Sequence, residues 1–153
     1  MAFRYSTFLF NQMLGELKTQ MADGVIRLYT GAQPLNADAA ITGTLIGEVT
    51  IAAGAWAPGS ATNGLEFDAA VGATIDKAAA EEWKFAAVAA GTIGWFRFIS
   101  NAVADDSSQL TTVSRLDGST GITTGDMRMS KVTYAIGETG IIQTFTIPLT
   151  NIN

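Results

Sequence analysis

The chain has 153 residues, 48% of them apolar and 15% charged, a net charge of −5, and neither cysteine nor histidine. This is one domain's length. Disulfides, thiolate catalysis, zinc ribbons and iron–sulfur clusters are excluded, as is any Ser-His-Asp site. The nine basic residues are scattered under an acidic balance, which speaks against nucleic acid and against anionic membrane surfaces as partners.

Residues 6–21 carry Phe10, Met13, Leu14, Leu17 and Met21 on one stripe at helical spacing, which predicts an amphipathic helix. Ser6 or Thr7 suits its start, and Gly24 sits where a left-handed C-terminal cap is expected. Phe3, Phe8 and Leu9 fall outside the stripe, so the helix either lies on its own sheet or docks this end on another chain. No run of 18 apolar residues occurs, and Asn11, Gln12 and Glu16 interrupt the N-terminal apolar content. Neither a transmembrane helix nor a signal peptide is expected, and synthesis in the cytoplasm follows.

From Val25 the period changes to two. Strands are expected over 25–29, 44–51, 65–68, 83–85, 93–99, 110–115, 127–136 and 140–149. The 93–99 run is apolar on both faces and therefore central. Arg27 and Arg97 interrupt apolar runs, as snorkelling or edge-facing side chains or as partners of Glu48 or another sheet carboxylate, the former being the plainer reading. Turns are expected at 57–59, 63–64, 117–118 and 137–140, the last as a hairpin. The Ala-rich stretch 69–82 reads as a short helix or an extended arm, with composition leaning to helix. The expected fold is mainly β: an antiparallel sandwich or barrel of about eight strands behind one N-terminal amphipathic helix. A single domain spans 1–153, with a helical segment at 1–23 and a β domain at 24–153.

Candidate chemistry is thin. The carboxylate pairs Glu66/Asp68, Glu81/Glu82 and Asp105/Asp106 read as solvated faces rather than a glycosidase pair. The Asp117-Gly118-Ser119 stretch begins like a calcium loop, but Arg128 stands where an EF-hand needs Glu, and Asp105, Asp106 and Asp126 read as turn formers. No Gly-rich run is followed by Gly-Lys-Ser/Thr, so no phosphate loop is expected. No enzyme activity, cofactor or metal is expected. Trp95 and Phe96 read as core, whereas Trp56 beside Pro58 suits an exposed aromatic and raises the alternative of a carbohydrate-binding attachment module.

Between the first two strands lies a loop at 30–43 with Gly31, Pro34, Asn36, Asp38 and Gly43 and no catalytic group. The order Gly-Val-Ile-Arg-Leu-Tyr-Thr-Gly-Ala-Gln-Pro at 24–34, Asn-Ala-Asp-Ala-Ala at 36–40 and Thr-Gly-Thr-Leu-Ile-Gly at 42–47 resembles small structural proteins of tailed bacteriophages. Gly-Trp-Phe-Arg-Phe at 94–98, the Asp-Gly-Ser at 117–119 followed by Gly-Asp-Met at 125–127, and Thr-Ile-Pro-Leu at 146–149 are similar too. The segment at 105–109 departs from the pattern, standing where a tighter turn is usual. The resemblance implies a virion component, foremost a capsid decoration (cement) protein, with a tail, neck or baseplate component as the alternative. It implies a place in the virion, the major capsid protein or other virion proteins as partners, and a homo-oligomer, a trimer at quasi-threefold positions. Contacts are then expected through Phe3, Phe8, Ala32, Gln33, Pro34, Leu35, Asn36, Ala37, Asp38 and Trp56. The loop becomes an extended contact arm whose deletion over 32–41 is expected to spare the fold and abolish assembly.

Overall fold

A computed structural model describes residues 3–101 and 113–150. The apolar stripe does form a helix, α1 (Thr7–Met21), burying Phe10, Leu14 and Met21 while Met13 stays half-exposed. Ser6 caps it with extended geometry, its Oγ accepting from Leu9 N–H at 3.2 Å. At the other end Asp23, not Gly24, adopts the left-handed conformation (φ +56°), with its N–H held by Glu66 Oε1 at 3.2 Å. Gly24 is required for a different reason. A Cβ there would stand 2.3 Å from the Ile99 carbonyl oxygen, so this residue sets how closely the helix exit approaches the sheet.

The strands are β1 (Val25–Thr30), β2 (Leu45–Ile51), β3 (Thr74–Asp76), β4 (Trp83–Ala86), β5 (Gly91–Ile99), β6 (Arg115–Gly121), β7 (Met127–Arg128), β8 (Thr133–Tyr134), β9 (Thr139–Ile142) and β10 (Thr146–Pro148). The main sheet runs β7-β6-β5-β1-β2-β4-β9, and β8 pairs the beginning of β5. The sheet is nearly closed. It is mixed rather than purely antiparallel, because β6 and β7 run parallel. β5 is central, as its two apolar faces require.

Several expectations are corrected. The 137–140 turn exists, with Gly137 at φ +79° and Glu138 N–H on the Ala135 carbonyl at 3.1 Å, but it closes no hairpin. β8 pairs β5 and β9 pairs β4, so the turn ties two distant parts of the sheet together. Asp117-Gly118 is no turn either and lies inside β6. A Cβ on Gly118 would meet the Phe96 ring at 2.5 Å, so the glycine serves close packing. The 69–82 stretch holds no helix. Its Thr74–Asp76 pairs with Thr146–Pro148 as a separate two-stranded sheet, tertiary pairing overriding a weak propensity. Leu65 and Phe67 make only isolated bridges, to Gly24 and Lys77. Of the expected 110–115 strand, residues 110–112 fall outside the described residues, and of the rest only Arg115 is in a strand, at the start of β6.

The interior gathers Leu14 and Met21 from the helix with Ile26, Leu28, Ile46, Val49, Trp83, Phe85, Phe96 and Phe98 from the sheet. Phe67 and Phe145 complete an aromatic cluster. Phe67 lies 5.5 Å from Phe98, Trp83 lies 5.9 Å from Phe145, and Phe96 lies 5.4 Å from Phe145. The buried Trp83 N–H is satisfied by Glu81 Oε2 at 2.7 Å. Each such ring contributes about 1.5–3 kcal/mol by burial alone.

Around the 135–138 turn, Glu138 binds Lys131 through one oxygen and Ala135 N–H, at 3.0 Å, through the other. These bonds, the Lys131 one foremost, hold its carboxyl below the ordinary 4.5. Burial, helped by the Glu138 charge, pushes the Tyr134 phenol above 10.0. The Lys131 ammonium sits 4.8 Å from that ring's centre.

Candidate functional site

Side-chain alternation along β5 sends Phe96 and Phe98 inward and Trp95 and Arg97 to the other face. A charged row crosses four strands on that face. Glu48 of β2 opposes Arg27 of β1, which opposes Arg97 of β5, which opposes Asp117 of β6. Arg97 and Asp117 form a bidentate pair, 2.7 Å at both Nε–Oδ1 and Nη2–Oδ2, with side chains 0% and 3% exposed. Arg27 Nε reaches Glu48 Oε2 at 2.9 Å. Both arginines are therefore ion-paired, and the plainer snorkelling reading fails. Beside them Tyr29 stacks on Trp95 with ring centres 4.7 Å apart, and the Arg97 guanidinium lies 5.5 Å from the Trp95 ring.

The loop between β1 and β2 covers this row. Its ends are clasped where Thr30 N–H donates to the Thr44 carbonyl at 3.0 Å and Thr44 N–H to Thr30 Oγ1 at 2.9 Å. Gly43, at φ +85°, allows the clasp, since a Cβ there would lie 1.9 Å from the Thr30 carbonyl oxygen. Within the loop, Asn36 folds a turn by accepting from Asp38 N–H at 3.0 Å, and Thr42 Oγ1 donates to the Ala32 carbonyl at 2.6 Å. Carbonyls then fasten the loop to the sheet. Thr42 accepts from Trp95 Nε1 at 3.2 Å and Ala39 from Arg97 Nη2 at 3.1 Å. Asp38 Oδ1 lies 3.9 Å from Arg115 Nη2. The segment is a compact Ω-type loop lying on its own sheet.

The expected contact residues are thereby sorted. Ala32, Gln33, Leu35, Asn36 and Asp38 are exposed, Leu35 completely so. Pro34 is buried and Ala37 half-buried, so these two support the loop from beneath. Phe3 and Phe8 are 81% and 72% exposed, and the half-exposed Leu9 and Met13 extend the apolar surface along α1. Trp56 is half-buried, and its indole N–H donates to the Asp23 carbonyl at 2.8 Å. It packs toward its own chain at the helix exit.

The carboxylate pairs hold backbone. Asp68 accepts from Ala79 N–H at 3.0 Å, and Glu81 accepts from Glu66 N–H at 3.0 Å as well as from Trp83. Asp126 Oδ2 accepts from both N–H and Oγ of Ser119, at 2.8 and 2.7 Å, so it closes the 119–126 loop instead of capping a tight turn. Asp105 and Asp106 lie outside the described residues. Among the described residues no group of three or more Asp or Glu is placed to hold a metal ion, and no helix is long and apolar enough to cross a membrane.

One feature escaped the sequence reading. A cleft of about 600 Å³ opens between β6 and β10, lined by Phe96, Leu116 and Asp117 on one side and by Thr144, Phe145 and Ile147 on the other. Its signal is topological. The pairing of β10 with β3 instead of the main sheet creates it, and strand patterns carry no trace of pairing partners. Compared with known proteins, the chain matches no family model, no curated protein and no solved structure.

Proposed function

We propose that this chain is a virion structural protein of a tailed bacteriophage, and more narrowly a capsid decoration protein that binds the outer surface of the head and stabilises it. The observation that supports this reading is where the fold leaves large apolar side chains in water. Phe3, Phe8, Leu9 and Met13 crowd the N-terminal segment and α1, and Leu35 stands alone at the summit of the loop. Scattered exposed apolar residues are ordinary, but a crowd of them on one helix marks a surface that another protein covers. The low charge content, 15% where about 25% is usual, fits a chain that functions in contact with others.

The loop suits such a role mechanically. Held to the sheet through the Ala39 and Thr42 carbonyls, it presents Leu35 already ordered, so little conformational entropy is lost on contact. Leu35, flanked by Ala32, Gln33 and Asn36, is one gripping point for the major capsid protein, and Phe8 with Leu9 is the other. Occupancy of many equivalent sites makes weak individual contacts sufficient.

The test is binding to particles. Purified virions should contain the chain in hundreds of copies on the head, seen by electron microscopy with a label at Asn153. Leu35→Asp and Phe8→Asp should each remove the protein from co-sedimenting particles while its unfolding transition is unchanged. Copies restricted to a single ring at the tail or neck would replace the decoration assignment. Virions without the chain would end the whole reading.

A further inference from the structure

The cleft forms a seam between the β6 edge of the main sheet and the β10 edge of the two-stranded sheet, and the register shows what each edge presents. Ser100 N–H donates to the Ser114 carbonyl at 3.1 Å, which places Arg97 and Asp117 at a non-hydrogen-bonded position of the β5–β6 ladder. Asp117 therefore turns its N–H and C=O away from β5. Ser119 follows in the same series, and its N–H does point outward, to Asp126. β7 joins β6 only from Thr120, so among the described residues no strand lies beside Asp117 on that side. Across the cleft, Lys77 N–H donates to the Phe145 carbonyl and Leu149 N–H to the Ala73 carbonyl, each at 2.9 Å. Residues 145, 147 and 149 thus face β3, while Thr144 and Thr146 turn their backbone groups the other way. The two edges share one cleft, and the largely buried Phe96 and Phe145 line it together with Asp126 and Arg128.

Two strand edges on either side of a groove lined by aromatic rings select an extended peptide whose alternate side chains are apolar. We propose that the seam receives residues 3–6 of a second copy of this chain as an added strand between β6 and β10. That arm precedes the helix, and Ser6 leaves it in extended geometry (φ −73°, ψ 155°). It alternates Phe3 and Tyr5 with Arg4 and Ser6, so one face carries two aromatic rings and the other is polar. Inserted, Phe3 and Tyr5 turn in toward Phe96 and Phe145, and Arg4 and Ser6 face solvent. The chain does not use the arm on its own cleft. None of residues 3–6 lines it, Phe3 is 81% exposed, and Tyr5 rests edge-on against Phe10, a contact it gives up on insertion. Because donor arm and acceptor seam are different surfaces, the exchange is head-to-tail and propagates into a ring or a row of copies.

The proposal concerns copies in solution and stands apart from the virion reading; loss of the chain from particles would refute that reading and leave this one intact. The absence of cysteine makes the test direct. Full-length chains carrying Arg4→Cys or Thr144→Cys, prepared separately, are mixed and mildly oxidised. Neighbouring strands bring their Cα atoms within disulfide reach, so a covalent dimer forms between the two variants. Replacing Phe3 and Tyr5 by Ser in the Arg4→Cys chain weakens association about a hundredfold, read from dimer yield on dilution. The helix content of that variant stays unchanged, and its unfolding transition falls by no more than loss of the Tyr5–Phe10 contact requires. Failure of the mixture to cross-link would overturn the proposal. So would a dimer that survives loss of both aromatic residues, or a chain bearing both cysteines that cross-links only within itself.

Discussion

Arg27 and Arg97 stand directly opposite one another on β1 and β5, two like charges at facing ladder positions near the centre of the sheet. Such an arrangement is destabilising by itself. It persists because each arginine has a carboxylate on its far side, Glu48 for Arg27 and Asp117 for Arg97, so the row carries no net charge and is covered by the Ω-type loop.

The two halves of the row differ in burial and therefore in what they contribute. Asp117→Asn leaves a buried guanidinium facing another and is expected to cost about 3–5 kcal/mol, measured by urea unfolding. The double replacement Arg97→Met with Asp117→Leu removes both charges and is expected to recover most of that loss. Glu48→Gln, acting on a partly exposed pair, is expected to cost under about 1 kcal/mol. Equal losses at Glu48 and Asp117 would show that burial does not govern this row.

The loop rests on the same row. Removing residues 32–41 takes the Ala39 carbonyl from Arg97 and the Ala32 carbonyl from Thr42, whose own carbonyl receives Trp95 Nε1. We expect destabilisation on the order of 1–3 kcal/mol, so that loss of assembly in this deletion would not isolate a contact defect. Leu35→Asp should leave the urea midpoint unchanged, because that side chain touches no neighbour.

Phe85 lies against two glycines. A Cβ on Gly140 would come within 2.3 Å of its ring and one on Gly47 within 2.6 Å. Gly140→Ala is expected to destabilise by about 1–3 kcal/mol through overpacking. Gly31→Ala has open space but a φ of +81° and is expected to cost about 1 kcal/mol. A shift in near-ultraviolet circular dichroism should accompany the first substitution and not the second.

Acid should weaken the 135–138 turn. The Glu138 carboxyl in the folded chain titrates below 4.5, so its contribution is fully present above that pH and is lost as pH falls through the lowered folded value. Thermal unfolding followed from neutral pH into acid should show Glu138→Gln with a shallower decline than the parent. At the alkaline end the Tyr134 phenol should ionise above 10.0, as ultraviolet difference titration would show.

Strands with strict alternation or two apolar faces were legible in the sequence. The helix, β1, β2, β4 and the central β5 followed from side-chain period, and Ser6 was one of the two caps offered for the helix, with Thr7 the other. What escaped depended on partners far along the chain. Thr74–Asp76 is a strand only because Thr146–Pro148 lies beside it, and Asp117-Gly118 looks like a turn until Arg97 and Phe96 are set against it. The loop at 30–43 was evident from Gly31, Pro34 and Gly43, yet its fastening was not, since it runs through backbone carbonyls that every residue possesses. The exposed Phe3 and Phe8 could be singled out because they fall off the helical stripe.

The passage from α1 to β1 has almost no slack, with Gly24 N–H bonded to the Met21 carbonyl and Val25 already in the sheet. β1 is flanked on both sides by antiparallel neighbours. Tension applied through the helix is therefore transmitted to an interior strand whose two ladders resist in shear together, rather than peeling an edge one bond at a time. A tether attached at this end would hold against pulling far better than one attached at the short β10, which has a single ladder among the described residues.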